Sequence, residues 1–178
     1  MRALIVVDMQ KDFCYKNGAL YIQGAEEIFD TTSKVVKKAR GIIPVIFTQD
    51  WHREDDEEFR IWPRHCIAGS EGAEIIEELG PTQKDYFVRK RRYSAFFGTD
   101  LDLLLRELRV LDVFVCGVAT NICVLHTAGD AAIRGYRVSV IRDCTKAPSD
   151  YDYEYALKHM KEVFNAKIIS SEDFIKSL

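Results

Sequence analysis

One stretch of sequence decides how this chain is interpreted: VCGVATNICV, residues Val115–Val124. The apolar residues that lead into it, Val113–Val115, predict a strand that is buried on both faces. Gly117 interrupts this run, and Thr120 is a good N-cap residue for a helix that begins there. Cys123 then lies in the first helical turn, where free backbone N–H groups and the helix dipole lower the pKa of a thiol. The segment predicts either a nucleophilic cysteine or a small residue packed in the core.

Short apolar runs alternate with amphipathic stretches over the rest of the chain. The predicted strands are Ala3–Val7, Pro44–Thr48, Tyr86–Arg89, Val113–Cys116, Val138–Ile141 and Ala166–Ile169. The predicted helices lie near residues 25–40, 71–79, 100–109, 121–134, 151–163 and 172–177. This alternation predicts an α/β fold of three layers, with helices on both sides of an open, mostly parallel, six-stranded sheet. We expect one domain over residues 1–178.

The composition excludes several classes of function. The 178 residues are 47% hydrophobic and 30% charged, and a formal net charge of -3 gives no basis for binding nucleic acid or an anionic membrane. The apolar runs are too short to span a bilayer, and the first residues enter a strand directly, so we expect no signal peptide. The five cysteines are an odd number without regular spacing, which favours reduced thiols and a cytoplasmic protein.

Three reactive side chains follow the ends of predicted strands. Asp8 closes the first strand, Lys90 closes the third, and Cys123 follows the fourth. Alone, Asp8 could cap a loop, and Lys90 could be a solvated charge in a basic run. Sites of parallel α/β sheets lie beyond the carboxyl ends of the strands, however, and this placement favours a functional role for all three residues.

A second group of polar residues lies in the acidic segment after the second predicted strand. It contains Asp50, His52 and His65, and two of the four histidines of the chain therefore fall in this segment. An aspartate and two histidines are suitable ligands for a divalent ion such as Zn²⁺. The segment could instead be an acidic surface loop with incidental histidines.

Five short motifs occur in order along the chain. They are VVDMQKDF ending at Phe13, DWH ending at His52, WPRHC ending at Cys66, KRRYS ending at Ser94, and GVATNIC ending at Cys123. Together they resemble the isochorismatase-like cysteine hydrolases, and within them the nicotinamidases. The resemblance covers nearly the whole chain, and it implies the isochorismatase-like hydrolase fold and a small-molecule amide as substrate. It also implies a homo-oligomer.

The resemblance implies a catalytic triad of Asp8, Lys90 and Cys123. Cys123 would attack a carboxamide carbon, Asp8 would move the proton, and Lys90 would keep Asp8 ionised. The backbone N–H groups of Ala119 and Cys123 would form the oxyanion hole. The resemblance also implies a cis peptide bond between Val118 and Ala119.

The resemblance further implies a metal ion held by Asp50, His52 and His65. Many relatives add a third histidine, which this chain lacks, and Glu58 matches the glutamate that replaces it in others. The ligand set suits Zn²⁺, Mn²⁺ or Fe²⁺, of which we expect Zn²⁺. In the family this ion takes the pyridine nitrogen of nicotinamide. The fourth ligand stays open among Glu58 and its acidic neighbours Asp55, Asp56 and Glu57.

The family pattern also implies a pocket for a flat ring, with Phe13, Trp62, Val118 and either Phe96 or Phe97 in its wall. We expect hydrolysis of nicotinamide to nicotinate and ammonia. The same triad also serves N-carbamoylsarcosine or ureido-acid amidohydrolases, whose substrate carboxylate would need a cation. The candidate cations are Arg64, Arg91 and Arg92.

Three different roles are also compatible with these residues. The chain could be a non-catalytic protein that binds a metabolite or a partner. Cys123 could be a redox sensor, since an exposed thiol of low pKa is readily oxidised. Cys123 could also form a dyad with His126, which lies three residues further along the same helix. The presence of the whole triad favours the amidase over each of them.

Overall fold

A computed structural model describes residues 1–178 and contains the predicted parallel sheet. The strands are β1 (Arg2–Val7), β2 (Val45–Asp50), β3 (Tyr86–Lys90), β4 (Asp112–Val118), β5 (Arg137–Lys146) and β6 (Lys167–Ile169). They form one sheet in the order β3-β2-β1-β4-β5-β6, and every neighbouring pair is parallel. The fold class predicted from the sequence is confirmed.

Helices cover both faces of this sheet. They are α1 (Lys11–Cys14), α2 (Phe29–Ala39), α3 (Leu101–Glu107), α4 (Leu125–Ile133), α5 (Asp150–Val163) and α6 (Ser171–Ser177). A π-helical turn, Thr120–Val124, precedes α4, and 3-10 turns span Ala25–Ile28, Glu57–Arg60, Glu71–Ala73 and Glu77–Leu79. No helix has the length and apolar character needed to cross a bilayer.

The buried core lies on the two sides of the sheet in nearly equal parts. One apolar cluster contains 26 buried residues and the other contains 23. Along β1, Leu4 belongs to the first cluster, whereas Ala3 and Ile5 belong to the second. A strand with core on both faces needs apolar residues at every position, which is why these strands appear in the sequence as continuous apolar runs.

Two local predictions are wrong. The helix expected near residues 71–79 is two 3-10 turns, and the extended residues between them pair with the loop after β1 through Glu74 and Ile76. Thr120 is not an N-cap, because Ala119 holds that position and the Thr120 hydroxyl is 2.8 Å from the hydroxyl of Thr145. In both places, contacts distant in sequence satisfy groups that the local pattern assigns to a helix.

The strand order reverses between β1 and β4, which places their carboxyl ends side by side at the centre of the sheet. Gly117 makes this close approach possible. It adopts a φ of 109°, and a Cβ atom there would lie 2.0 Å from the carbonyl oxygen of Val7. The residues that follow Val7 and Gly117 therefore meet above the sheet, at the crevice where α/β proteins bind their ligands.

Candidate active site

The structure brings Asp8, Lys90 and Cys123 together in this crevice. Asp8 directly follows β1, Lys90 ends β3, and Cys123 lies in the π-helical turn after β4. The Lys90 Nζ atom is 2.7 Å from Asp8 Oδ2 and 3.6 Å from Cys123 Sγ. All three residues are buried. Three elements that are distant in sequence thus assemble one cluster of ionisable groups.

Asp8 is held in place by β2. Its backbone adopts a left-handed φ of 48°, and the hydroxyl of Thr48 donates a hydrogen bond of 2.6 Å to Asp8 Oδ1. Burial raises the pKa of Asp8, while the positive charge of Lys90 acts in the opposite direction. A carboxyl group with a raised pKa is suited to both accept and return a proton.

Burial also controls the ionisation of Cys123. It raises the pKa of the Cys123 thiol well above its ordinary value, although the charge of Lys90 opposes this effect. The sequence predicts the reverse, a pKa lowered by the helix terminus. That expectation is wrong, because the sulfur is removed from water and faces the carboxylate of Asp8. Burial therefore favours the protonated thiol of Cys123.

Lys90 is the positive charge at the centre of the cluster. Its Nζ atom contacts Asp8, donates to Asp50 Oδ1 at 2.5 Å, and donates to the backbone oxygen of Arg92 at 3.0 Å. Burial lowers the pKa of Lys90, but Asp50 and Asp8 outweigh it and raise this pKa well above its usual value. Lys90 therefore stays charged although no part of its side chain is exposed.

The turn before Cys123 has a free backbone donor. The peptide bond between Val118 and Ala119 is cis, as the resemblance implies. The Ala119 carbonyl accepts from the N–H groups of Ile122 and Val124, each at 3.1 Å, whereas the Ala119 N–H group donates to no other group of the protein. Ala119 and Cys123 line the same cavity, and a free N–H group near a nucleophile is what an oxyanion hole requires.

A second buried group lies next to the first. Ligand atoms of Asp50, His52, Glu58 and His65 all lie within 4.8 Å of one another, and all four residues are buried. Asp50 Oδ2 is 3.5 Å from His52 Nε2 and 3.6 Å from His65 Nε2, and Glu58 Oε1 is 3.8 Å from His52 Nε2. Two imidazoles and two carboxylates form a donor set typical of Zn²⁺, Mn²⁺ or Fe²⁺.

The polar atoms of this group fit a cation. His52 Nε2 is buried and has no hydrogen-bond partner in the protein, which is costly unless a ligand pairs with it. Glu58 Oε1 faces this nitrogen at 3.8 Å, while Glu58 Oε2 lies 3.8 Å from Arg92 Nη1. Burial raises the pKa of Glu58, and the nearby Asp50 carboxylate raises it further. Of the acidic residues that the sequence leaves open, only Glu58 belongs to the group, since Asp55 pairs with Arg53 at the surface.

Asp50 connects the two groups, because one oxygen faces Lys90 and the other faces both histidines. Burial opposes its ionisation, but Lys90 and the two histidines hold the pKa of Asp50 well below its ordinary value. The buried side chain of Gln10 fixes the backbone here, since its amide donates to the Asp50 carbonyl and accepts from the Asp50 N–H group, both at 2.8 Å. Sequence reasoning missed Gln10, although it lies in the same motif as Asp8.

Cys123 of the first group and Asp50, Glu58 and His65 of the second line one cavity of about 410 Å³. Of the predicted pocket residues, Phe13, Trp62 and Val118 lie in its wall, and so do Ala119 and Cys123. Phe97 does not. It is 65% exposed and lies at a separate surface depression beside the basic residues at the end of β3. Phe96, the other aromatic residue considered for this wall, is buried in the core behind the sheet.

The cavity also has walls that the sequence did not indicate. The loop before residue 25 contributes apolar side chains and a polar one, and Tyr93 accepts a hydrogen bond of 3.0 Å from the indole of Trp62. Tyr93 follows Lys90 in its motif, which was the only signal for it. The remaining wall residues are Ala19, Leu20, Tyr21, Ile22, Gln23, Ile122 and Pro148.

Other candidate residues lie outside the cavity. His126 is exposed, and its Nδ1 atom is 2.7 Å from the backbone oxygen of Ile122, so it does not reach the sulfur of Cys123 as a base. The candidate cations pair elsewhere, Arg91 and Arg92 with Asp56 and Arg64 with Glu54. No arginine or lysine lies in the cavity wall.

Comparison with known proteins agrees with this architecture. The family model described as "Isochorismatase domain" matches residues 2–173. A nicotinamidase/pyrazinamidase of Mycobacterium tuberculosis is 31% identical, over 96% of this chain and 100% of its own length. The pyrazinamidase of Pyrococcus horikoshii in complex with zinc is 37% identical with a TM-score of 0.89, over 95% of this chain and 98% of that one.

A third relative has a different activity in its name. The N-carbamoylsarcosine amidase of Thermoplasma acidophilum is 36% identical with a TM-score of 0.87, and the alignment covers 96% of both chains. The family model spans almost the entire sequence, and these relatives share its fold over their whole length. The chain therefore belongs to the isochorismatase family, among its nicotinamidase-like hydrolases.

Proposed function

We propose that this protein is a metal-containing cysteine amidase that hydrolyses nicotinamide to nicotinate and ammonia. The observation that carries the proposal is that Cys123, whose sulfur is 3.6 Å from Lys90 Nζ, and three residues of the Asp50 ligand group line the same largely apolar cavity. The Asp8–Lys90–Cys123 cluster offers a nucleophile, a base and a fixed positive charge. The Asp50 group offers ligands for the metal ion that would bind the ring nitrogen of nicotinamide.

The acyl transfer follows from the arrangement of the cluster. Asp8 accepts the thiol proton as Cys123 Sγ attacks the carboxamide carbon. The carbonyl oxygen becomes an oxyanion, which the N–H groups of Ala119 and Cys123 receive. The C–N bond then breaks, Asp8 returns the proton to the leaving ammonia, and the acyl group remains on Cys123 as a thioester. Water hydrolyses the thioester and releases the carboxylic acid and the thiol.

Lys90 makes this proton transfer possible. Burial raises the pKa values of both Asp8 and Cys123, and the lysine charge lies 2.7 Å from the carboxylate and 3.6 Å from the sulfur. Lys90 stabilises the negative charge on whichever partner carries it. The single charge of Lys90 thereby stabilises both the carboxylate of Asp8, which is the base, and the thiolate that develops on Cys123.

The Asp50 group would hold the divalent ion through Asp50, His52, Glu58 and His65. An ion held there would supply a Lewis-acid centre for the pyridine nitrogen of the substrate. Zinc is favoured by the donor set and by the zinc complex of the Pyrococcus horikoshii pyrazinamidase. Phe13 and Trp62 then lie in the cavity wall as aromatic surfaces for the flat ring.

The wall also favours a neutral substrate. N-carbamoylsarcosine carries a carboxylate, and buried carboxylates are normally paired with a cation. The arginines that could serve this purpose are bound to Asp56 and Glu54, and none lines the cavity. A ureido-acid or N-carbamoylsarcosine amidohydrolase remains the second candidate, because the Thermoplasma acidophilum amidase is as similar as the pyrazinamidase.

The test is ammonia release from a panel containing nicotinamide, pyrazinamide, N-carbamoylsarcosine and a ureido acid. We expect the highest kcat/KM for nicotinamide, and the highest value for an anionic amide would favour the second candidate. Cys123→Ala should abolish release without unfolding the protein. The matched control is Cys144→Ala, which alters a buried cysteine outside the cavity. Turnover by Cys123→Ala at the rate of the control would refute the thioester mechanism.

A further inference from the structure

Another buried carboxylate, Asp56, lies behind the Asp50 ligand group and does not line the cavity. It is 4% exposed, and it is not a member of the ligand group itself. We infer that Asp56 is a positioning residue that orients His52 and Glu58 for the ion. The inference rests on the proposed function, because it assumes that the ligand group binds a metal.

The ring of His52 lies between the ligand group and Asp56. The ring is completely buried, and neither of its nitrogens has a hydrogen-bond partner. Nε2 faces Asp50 and Glu58, while Nδ1 is 3.2 Å from Asp56 Oδ2, an approach whose alignment falls short of a hydrogen bond. A histidine that offers the lone pair of one nitrogen to a metal carries its proton on the other, and a carboxylate beside that proton fixes the tautomer and the ring.

The backbone that carries Glu58 is also held by Asp56. Asp56 is the N-cap residue of the 3-10 turn Glu57–Arg60, and its Oδ1 atom accepts from the N–H group of Glu58 at 3.2 Å. The same side chain thus holds the position of Glu58 and lies against the ring of His52. Two of the four ligands depend on one carboxylate.

The negative charge of Asp56 is already balanced by two arginines. Asp56 accepts from Arg91 Nε at 2.7 Å and from Arg92 Nη1 at 2.9 Å, so it has no need of a cation as a direct partner. The backbone oxygen of Arg92 also accepts a hydrogen bond from Lys90 Nζ. This bond connects the arginines that hold Asp56 to the end of β3. Arg91 and Arg92 therefore serve to hold Asp56 rather than a substrate carboxylate.

The decisive variant is Asp56→Asn, which keeps the size of the side chain but removes its charge and turns an amide N–H group toward an arginine or the ring. The probe is Zn²⁺ alone, with its dissociation constant measured by competition with a chelating indicator. We expect the constant to rise about 10- to 100-fold, the usual effect of losing such a support. The matched control is Asp55→Asn, which alters an exposed carboxylate next to it and should leave the constant unchanged.

A spectroscopic measurement separates positioning from general stability. In the zinc-loaded protein labelled with ¹⁵N at histidine, the Nδ1 proton of His52 should give a protected signal in the wild type and in Asp55→Asn. This signal should shift or exchange rapidly in Asp56→Asn. Arg91→Gln removes one partner of Asp56 at the surface and should change the zinc constant in the same direction by a smaller factor. It provides the test if Asp56→Asn does not fold.

The outcomes distinguish this inference from the proposed function. Zinc binding by Asp56→Asn within about twofold of the wild type, with an unchanged Nδ1 signal, would overturn the inference alone. Wild-type protein that binds no zinc would overturn the metal site of the proposed function, and the inference with it. Loss of zinc affinity in Asp56→Asn with the control unchanged would support both.

Discussion

Removal of the Lys90 charge should destabilise the protein strongly and in a pH-dependent way. In Lys90→Met the buried carboxylates of Asp8 and Asp50 lose the ammonium group that lies 2.7 Å and 2.5 Å from them. At an effective dielectric constant of about 20, each contact corresponds to roughly 6 kcal/mol of Coulomb attraction, most of which offsets the desolvation of the charges. The net cost of removing one partner from a buried pair is about 3–5 kcal/mol.

The dependence on pH follows from the direction of the pKa shifts. Without Lys90, burial and the nearby Asp50 carboxylate raise the pKa of Asp8 above that of the unfolded chain, whereas His52 and His65 still lower the pKa of Asp50. When the pKa of a group is higher in the folded state than in the unfolded state, the free energy of unfolding of the protein decreases as the pH rises through the folded value. The free energy of unfolding of Lys90→Met should therefore be most reduced at neutral pH and above. It should recover toward the wild-type value as the pH falls toward the ordinary carboxyl range near 4.

The assay is urea unfolding of chelator-treated protein at several pH values, followed by circular dichroism. Lys158→Met is a suitable control, because Lys158 is exposed on α5 and makes no ion pair. Asp8→Asn combined with Lys90→Met should recover part of the loss, since it removes one of the two unpaired charges. A Lys90→Met variant as stable as the control, or a penalty independent of pH, would show that Lys90 does not neutralise this cluster.

Three further predictions concern the fold and the cavity. Gly117→Ala should cost about 3 kcal/mol or more in thermal unfolding, because its Cβ would meet the β1 backbone at 2.0 Å. Gly135→Ala has a φ of 88° but open space around it, so it should cost only about 1 kcal/mol, and equal costs would refute the close-approach argument. Tyr93→Phe removes the acceptor of the Trp62 indole, so KM for nicotinamide should rise by about 2- to 10-fold, and an unchanged KM would contradict a role in the wall. Phe97→Ala should leave kcat/KM unchanged, since this side chain is exposed away from the cavity, and a large loss of kcat/KM would restore it to the substrate site.

The sheet could be predicted from the sequence because burial on both faces leaves a clear pattern. β1, β2 and β4 are apolar wherever they meet core, and the observed strands extend the predicted ones by only a few residues at most positions. The segment 71–79 had acidic and apolar residues at helical spacing, but its backbone pairs with the loop after β1. No local pattern reports such pairing, so the sequence misidentified this element.

The sequence identified the reactive residues of the site better than it identified their pKa values and ion-pair partners. The sequence placed Asp8, Lys90 and Cys123 at strand ends, and the structure brings them into contact. The direction predicted for the pKa of Cys123 was wrong, because burial depends on the whole fold and not on the helix terminus alone. The partners of Arg91 and Arg92 were equally hidden, since Asp56 lies 35 and 36 residues earlier in the chain. The homo-oligomer and the cytoplasmic location remain predictions.

The charge of the whole site favours a bound cation on grounds separate from the ligand types. Asp8, Asp50 and Glu58 are buried carboxyl groups, and Lys90 is the buried cation among them. The half-exposed Arg92 lies 3.8 Å from Glu58, but it also donates to the buried carboxylate of Asp56. When Asp56 is counted with the other three carboxylates, four negative charges face the three positive charges of Lys90, Arg91 and Arg92. Burial raises the pKa of Glu58, and the nearby Asp50 carboxylate raises it further. A bound cation would compensate the remaining negative charge, which is costly to leave unpaired away from water.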